Sequence, residues 1–136
     1  MPLYFSAFDS PERVDVGGLM PEARPISSLS SGAAAVVICL HGFTGVPYEV
    51  APAVEAISGS GPTRLAAVAP TLPAHGYGDL AQQHQAFAGL RYSDLLAAAR
   101  AEIDRARQQY DQVGLFGFSM GGAIALIMAA EGRVDA

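Results

Sequence analysis

The chain has 136 residues, 51% of them hydrophobic and 15% charged, which suits one core-forming globular domain and excludes a disordered or fibrous chain. Its formal net charge is −5, and its bases form no run, so we expect no nucleic acid partner. No stretch approaches the ~20 apolar residues of a membrane span, and the single Cys39 excludes an internal disulfide, so we expect a cytoplasmic protein.

The first elements are short. The residues before Ala33 are rich in Pro, Gly and Ser, and the apolar pieces Leu3 to Phe8 and Ile26 to Leu29 predict short antiparallel edge strands. A continuous apolar run then extends from Ala34 to Leu40 between glycines. Such a run is typical of a strand buried on both faces, and it predicts a central parallel strand.

A helix and a second strand follow. The segment from Glu49 to Ser58 predicts a short helix that ends at Gly59 and Gly61. The apolar residues Leu65 to Ala69 predict a second short buried strand.

The remaining elements complete an alternating pattern. Pro70 to Leu90 is predicted to be a long loop, and Tyr92 to Tyr110 has apolar residues at helical spacing, with Ser93 as the expected N-cap. Val113 to Phe118 predicts a third buried strand, and Met120 to Glu131 predicts a helix packed deep beneath its neighbours. Strands that alternate with helices indicate an α/β fold with a mainly parallel sheet.

A candidate nucleophile lies between the third strand and the last helix, where Gly117 to Gly121 reads GFSMG. A strand that turns directly into a helix forces its central residue, Ser119, into a strained conformation, and glycines at the −2 and +2 positions, Gly117 and Gly121, leave room for the crossing chains. The helix N-terminus then directs free N–H groups to the reacting centre. We predict Ser119 as a nucleophile; the alternative is that it only caps the helix.

A second motif follows the first buried strand, where His41 to Gly45 reads HGFTG. Acyl transfer needs two N–H donors about 3 Å from the developing oxyanion, one just after the nucleophile and one from a neighbouring loop. The backbone N–H groups of Phe43 and Met120 are the natural pair. We expect His41 to be structural rather than a catalytic base, and Cys39 to be an inert core residue.

With these motifs, the chain resembles the α/β-hydrolase superfamily and, within it, the bacterial carboxylesterases and monoacylglycerol lipases whose oxyanion motif reads HGFTG. The likeness runs from about Pro21 to the C-terminus and includes VVICLHGFTGVPYEV, GFSMGG and PTLPAHG, the last at Pro70 to Gly76, where such enzymes often have LPGHG. The resemblance implies an α/β-hydrolase fold, with helices on both faces of the sheet.

Carried over to this sequence, the resemblance implies Ser119 as the nucleophile, Phe43 and Met120 as oxyanion donors, and His75 as a residue that shapes its loop. It also implies a serine hydrolase of carboxylic esters or monoacylglycerols that needs no cofactor. Thioesterase, peptidase and acyltransferase chemistry remain open. A non-catalytic binding or interaction module that keeps the pocket of the fold is the alternative from a different class.

The rest of a catalytic triad is not evident. In this superfamily the order is Ser, then Asp or Glu, then His, but only Glu131 and Asp135 follow Ser119, and Glu131 is a helix length away. We expect residues 1–136 to be the N-terminal half of one hydrolase domain, truncated after the nucleophile helix and nearly inactive alone. Its exposed sheet edge could mediate association. We do not expect His84 to act as the base. We also expect no metal site, since the His and Cys residues lack ligand spacing.

Overall fold

The computed structural model describes residues 3–59 and 65–136, and a four-stranded sheet forms the centre of the described part. Its strands are β1 (Ile26–Ser28), β2 (Ala35–Leu40), β3 (Leu65–Ala69) and β4 (Gln112–Gly117), arranged in the order β1-β3-β2-β4. β2 is parallel to both β3 and β4, whereas β1 is antiparallel to β3. The predicted mainly parallel α/β sheet is therefore confirmed.

Five α-helices surround this sheet in the described part of the chain. They are α1 (Pro11–Gly17), α2 (Ala51–Gly59), α3 (Leu80–Ala88), α4 (Tyr92–Arg107) and α5 (Met120–Ala130). None of the helices in residues 3–59 and 65–136 combines the length and apolar character needed to cross a membrane.

The alternation of side chains along β2 divides the core between the two faces of the sheet. Val36, Ile38 and Leu40 are fully buried in a cluster that includes apolar residues of α4 and α5. Cys39 is buried on the opposite face, in a cluster that includes Val54 of α2. Since successive side chains of a strand point to opposite faces, β2 must be apolar throughout. This three-layer arrangement fixes the carboxyl end of β2, where the HGFTG motif begins.

Several predicted boundaries need correction. The piece from Leu3 to Phe8 forms only an isolated antiparallel bridge, from Phe5 to Thr71, although β1 is the predicted antiparallel edge strand. The long loop predicted from Pro70 to Leu90 contains α3, whose N-cap Asp79 accepts a hydrogen bond from the Gln82 N–H at 2.7 Å.

The ends of two helices also differ from the predictions. The N-cap of α4 is Arg91 rather than Ser93, and the Asp94 carboxylate accepts a hydrogen bond from the Arg91 N–H at 3.0 Å. For α2, the predicted end at Gly59 is observed, and the predicted Gly61 lies outside the described residues.

The prediction that α5 is packed deep beneath its neighbours was wrong, and β4, predicted as a buried strand, fully buries only Val113. β4 is at the edge of the sheet, and only Gly121, Ile124 and Met128 of α5 are buried. Leu126 is 75% exposed, because α5 packs against the sheet and α4 through one side only. Beyond α5, the Asp135 N–H donates to the Val113 carbonyl at 2.9 Å, so the chain returns along the edge of β4.

Candidate active site

Ser119 occupies the turn between β4 and α5 in a strained backbone conformation. Its φ is 53° and its ψ is −117°, a region that residues with a Cβ rarely adopt. The side chain is exposed, and it makes no capping hydrogen bond to the helix that it precedes. A helix cap would have extended dihedral angles and accept such a bond. The geometry therefore favours a nucleophile turn over a simple helix cap.

Two glycines make this turn possible. A Cβ atom added at Gly117 would lie 2.3 Å from the carbonyl oxygen of Gly121, and one added at Gly121 would lie 2.1 Å from that of Leu40. Both obstacles are backbone atoms, which cannot move aside as a side chain can. The start of α5 thus passes directly over the end of β2, as the glycine spacing in the sequence predicts.

The HGFTG turn lies against Ser119. A Cβ atom added at Gly42 would lie 3.3 Å from the Ser119 Cβ. Within residues 3–59 and 65–136, the backbone N–H groups of Phe43 and Met120 donate no hydrogen bond to the protein. Each motif thus leaves one backbone N–H group without a hydrogen bond in the described part of the chain.

His41 is fully engaged with the backbone around it. Its Nε2 accepts from the Leu72 N–H at 3.1 Å, so its Nδ1 carries the proton and donates to the Gly42 carbonyl at 2.9 Å. Burial lowers the pKa of His41 to about 4, which keeps the ring neutral. His41 therefore links the turn to the following loop and is not placed to act as a base.

His75 holds the other side of the turn. Its Nε2 accepts from the Thr44 N–H at 3.2 Å, and its Nδ1 donates to the Pro73 carbonyl at 2.8 Å. Burial lowers its pKa. Its ring centroid lies 5.6 Å from that of Phe43 and 5.0 Å from that of Phe87, both in edge-on contacts. These contacts agree with a role in shaping the loop.

Glu49 is a site residue that the sequence motifs did not reveal. It belongs to a 3₁₀ turn, Pro47–Val50, and its Oε1 accepts from the Gly42 N–H at 2.8 Å. The contact links residues seven positions apart across an irregular turn, so neither strand nor helix periodicity indicates it. The only sequence signal is that an acid follows the motif closely.

The other candidate residues have no hydrogen bond to Ser119 in the described part of the chain, or are inert. His84 is exposed on α3, and Glu131 forms an ion pair with Arg100 at 2.5 Å. Burial raises the pKa of Cys39 to about 12, so its thiol is not reactive. No cluster of three potential metal ligands occurs among the residues that the structure describes.

A sheet of this topology with a serine at a strained strand-to-helix turn defines an α/β hydrolase. Residues 37–136 match the profile of the Alpha/beta hydrolase family, and the chain belongs to that family. No curated protein matches the sequence.

A solved structure gives a second comparison. The structure comes from work on LipS and LipT, two metagenome-derived lipolytic enzymes, and it is similar to this chain at 28% identity with a TM-score of 0.70. The match covers 83% of this chain and 42% of the other, so the chain spans less than half the length of that relative.

Proposed function

We propose that the protein is a serine hydrolase of carboxylic esters that forms an acyl-enzyme on Ser119. The observation that carries this proposal is the exposed Ser119 in its strained turn, beside an HGFTG turn whose Phe43 N–H has no hydrogen bond to the described residues. Membership of the family supports hydrolysis, and the lipolytic relative supports an ester as the bond that is cleaved.

The chemistry follows from the positions of these groups. The Ser119 Oγ attacks the ester carbonyl carbon and passes its proton to a general base, while the N–H groups of Phe43 and Met120 stabilise the tetrahedral oxyanion. The base returns the proton to the departing alcohol, which leaves an ester on Ser119. Water then attacks that acyl group with help from the same base, and the carboxylic acid is released.

The described residues provide no base for these steps. The ring nitrogens of His41 and His75 are both bonded to backbone groups, and burial lowers the pKa of each ring. We therefore propose that the triad acid and histidine lie outside this chain. Loss of a triad serine or histidine costs on the order of 10⁶ in rate, so the chain alone should be nearly inactive.

An apolar hollow lies beside the HGFTG turn, and Ser119, Phe43 and Met120 are not among the residues that line it. It has a volume of about 350 Å³, and its walls include Thr44 of the turn together with Tyr77 and Phe87. We propose that the acyl or alcohol group of a short- to medium-chain ester, or of a monoacylglycerol, occupies this hollow. Apolar walls with few polar groups are typical of sites for such ligands.

One observation favours the alternative of a non-catalytic binding module. No histidine in residues 3–59 and 65–136 is hydrogen-bonded to Ser119, so this part of the chain keeps the pocket without turnover machinery. A module of that kind would bind an ester without cleaving it.

The test is covalent labelling with a fluorophosphonate, applied to the 136-residue chain and to the full-length gene product. We expect fast labelling of the full-length product, loss of labelling in Ser119→Ala, and little labelling of the short chain. Ser93→Ala, at an exposed serine on α4, is the matched control and should label normally. Absence of labelling in a folded full-length product would favour the binding module, and fast labelling of the short chain would show that a base reaches Ser119 from within it.

A further inference from the structure

Side chains accept hydrogen bonds from two backbone N–H groups of the HGFTG turn. The Gly42 N–H donates to Glu49 at 2.8 Å and the Thr44 N–H donates to His75 at 3.2 Å. The Phe43 N–H between them donates to no group in the part of the chain that the structure describes. Two side chains therefore accept hydrogen bonds from the N–H groups on either side of Phe43. The Phe43 N–H is the group of this turn that the proposed reaction needs free.

We propose that Glu49 is a positioning residue, whose carboxylate holds the Gly42 N–H and keeps the turn in the conformation that leaves the Phe43 N–H free for the oxyanion. This proposal rests on the proposed function for its catalytic consequence. Glu49 acts through the backbone of Gly42 and needs no contact with the substrate. His41 and His75 are the expected histidine anchors of the same turn, whereas the carboxylate anchor was not expected from the motifs.

The backbone of Glu49 is well placed for this role. The 3₁₀ turn that carries it is fixed by the buried residues Pro47 and Val50, and the Glu49 N–H donates to the Val46 carbonyl at 2.9 Å. The side chain then folds back over the motif, where a Cβ atom added at Gly45 would lie 2.6 Å from its Oε1. Glycine at position 45 thus provides the space in which the carboxylate reaches Gly42.

The turn needs such an anchor because its backbone is strained. Thr44 has a φ of 62°, which is unfavourable for a β-branched residue and persists only where the surroundings enforce it. The Glu49 bond fixes the turn two residues before Thr44, and the His75 bond fixes it at Thr44 itself. A hydrogen bond to a carboxylate is stronger than one to a neutral acceptor, which suits an anchor at an exposed position.

Three variants test the proposal. Glu49→Ala removes the acceptor, Glu49→Gln keeps an acceptor oxygen without the charge, and Gly45→Ala displaces the carboxylate by occupying its space. Glu55→Ala, which removes an exposed carboxylate from α2, is the matched control. The first measurement is the hydrogen-exchange rate of the Gly42 amide by NMR in the 136-residue chain and in the full-length gene product. The second is the rate of Ser119 labelling by a fluorophosphonate in the full-length product.

We expect Gly42 exchange to become about tenfold faster in Glu49→Ala and Gly45→Ala, and to stay within about threefold of the wild type in Glu49→Gln and Glu55→Ala. Labelling should slow by about tenfold in Glu49→Ala and Gly45→Ala. It should stay near the wild-type rate in Glu49→Gln, because the amide oxygen still holds the turn and the Phe43 N–H stays available to the oxyanion. Unchanged Gly42 exchange in Glu49→Ala would overturn the proposal, and so would normal labelling despite faster exchange. If no form labels while Gly42 exchange still depends on Glu49, the proposed function fails and the anchoring of the turn stands.

Discussion

Gly121 and Leu40 are in backbone contact, and this contact joins the two halves of the candidate site. A Cβ atom added at Gly121 would lie 2.1 Å from the Leu40 carbonyl oxygen, while the Phe118 N–H donates to that same oxygen at 3.0 Å. The end of the strand that leads to HGFTG therefore supports the turn that carries Ser119. Backbone atoms therefore set how closely the turn at Ser119 approaches the end of β2.

Substitution of Gly121 should consequently disrupt the fold as well as the site. We expect Gly121→Ala to lower the free energy of unfolding by about 3 kcal/mol, since the methyl group meets backbone that cannot move without separating β2 from α5. Gly59→Ala at the end of α2 is the control, because a Cβ atom there would meet nothing within 4 Å. Urea unfolding measures both, and equal stability of the two variants would contradict the close packing.

The strained backbone at Ser119 predicts that this serine lowers the stability of the fold. Glycine tolerates a φ of 53° far better than serine, so Ser119→Gly should raise the free energy of unfolding by about 1 kcal/mol while abolishing covalent labelling. Ser119→Ala keeps the strain and should stay within about 0.5 kcal/mol of the wild type. A glycine variant less stable than the alanine variant would show that the turn is not strained.

Burial of His41 predicts loss of stability in mild acid. Its pKa falls from 6.5 to about 4 in the folded chain, so between these values the unfolded chain binds a proton that the folded chain does not. This difference should remove about 3 kcal/mol of stability as the pH falls from 7 to 4. The difference in unfolding free energy between wild type and His41→Asn should shrink by that amount, and a difference that does not change with pH would contradict this assignment.

Glu102 should change the free energy of unfolding in the opposite direction over nearly the same pH range. Burial raises the pKa of this carboxyl on α4 from 4.5 to about 7, while its Oε1 accepts from the Ala7 N–H at 2.9 Å. A raised pKa gives stability that is complete below the unfolded value and is lost as the pH rises through the folded value. Relative to wild type, Glu102→Gln should therefore gain up to about 3 kcal/mol between pH 4 and pH 8. A constant difference between the two proteins would contradict this assignment.

The sequence predicted the parts of the fold that depend on local patterns. The bounds of β3, Leu65–Ala69, match the prediction, and β4 and α5 begin within one residue of it, because apolar runs and glycines mark those junctions. The missed helix α3 has a readable signal, since Asp79 and Gln82 are spaced as in a capping box.

Other features depend on contacts between distant segments, which a local pattern does not contain. The apolar sequence of α5 does not indicate which neighbours cover it, so the helix was predicted to be packed deep beneath its neighbours, whereas its Leu126 is exposed. Likewise, the Glu49 carboxylate reaches Gly42 only through the path of an irregular turn. A cytoplasmic location and association through the edge of β4 stay predictions.

The most direct test of the central claim is to trap the acyl-enzyme with a p-nitrophenyl ester and locate it by mass spectrometry. Trypsin, which cuts after Arg107 and Arg133, releases a peptide of residues 108–133 in which Ser119 is the only serine. We predict an acyl group on this peptide in the full-length gene product and none in Ser119→Ala. An acyl group that persists in Ser119→Ala, or ester turnover without an acylated peptide 108–133, would contradict an acyl-enzyme on Ser119.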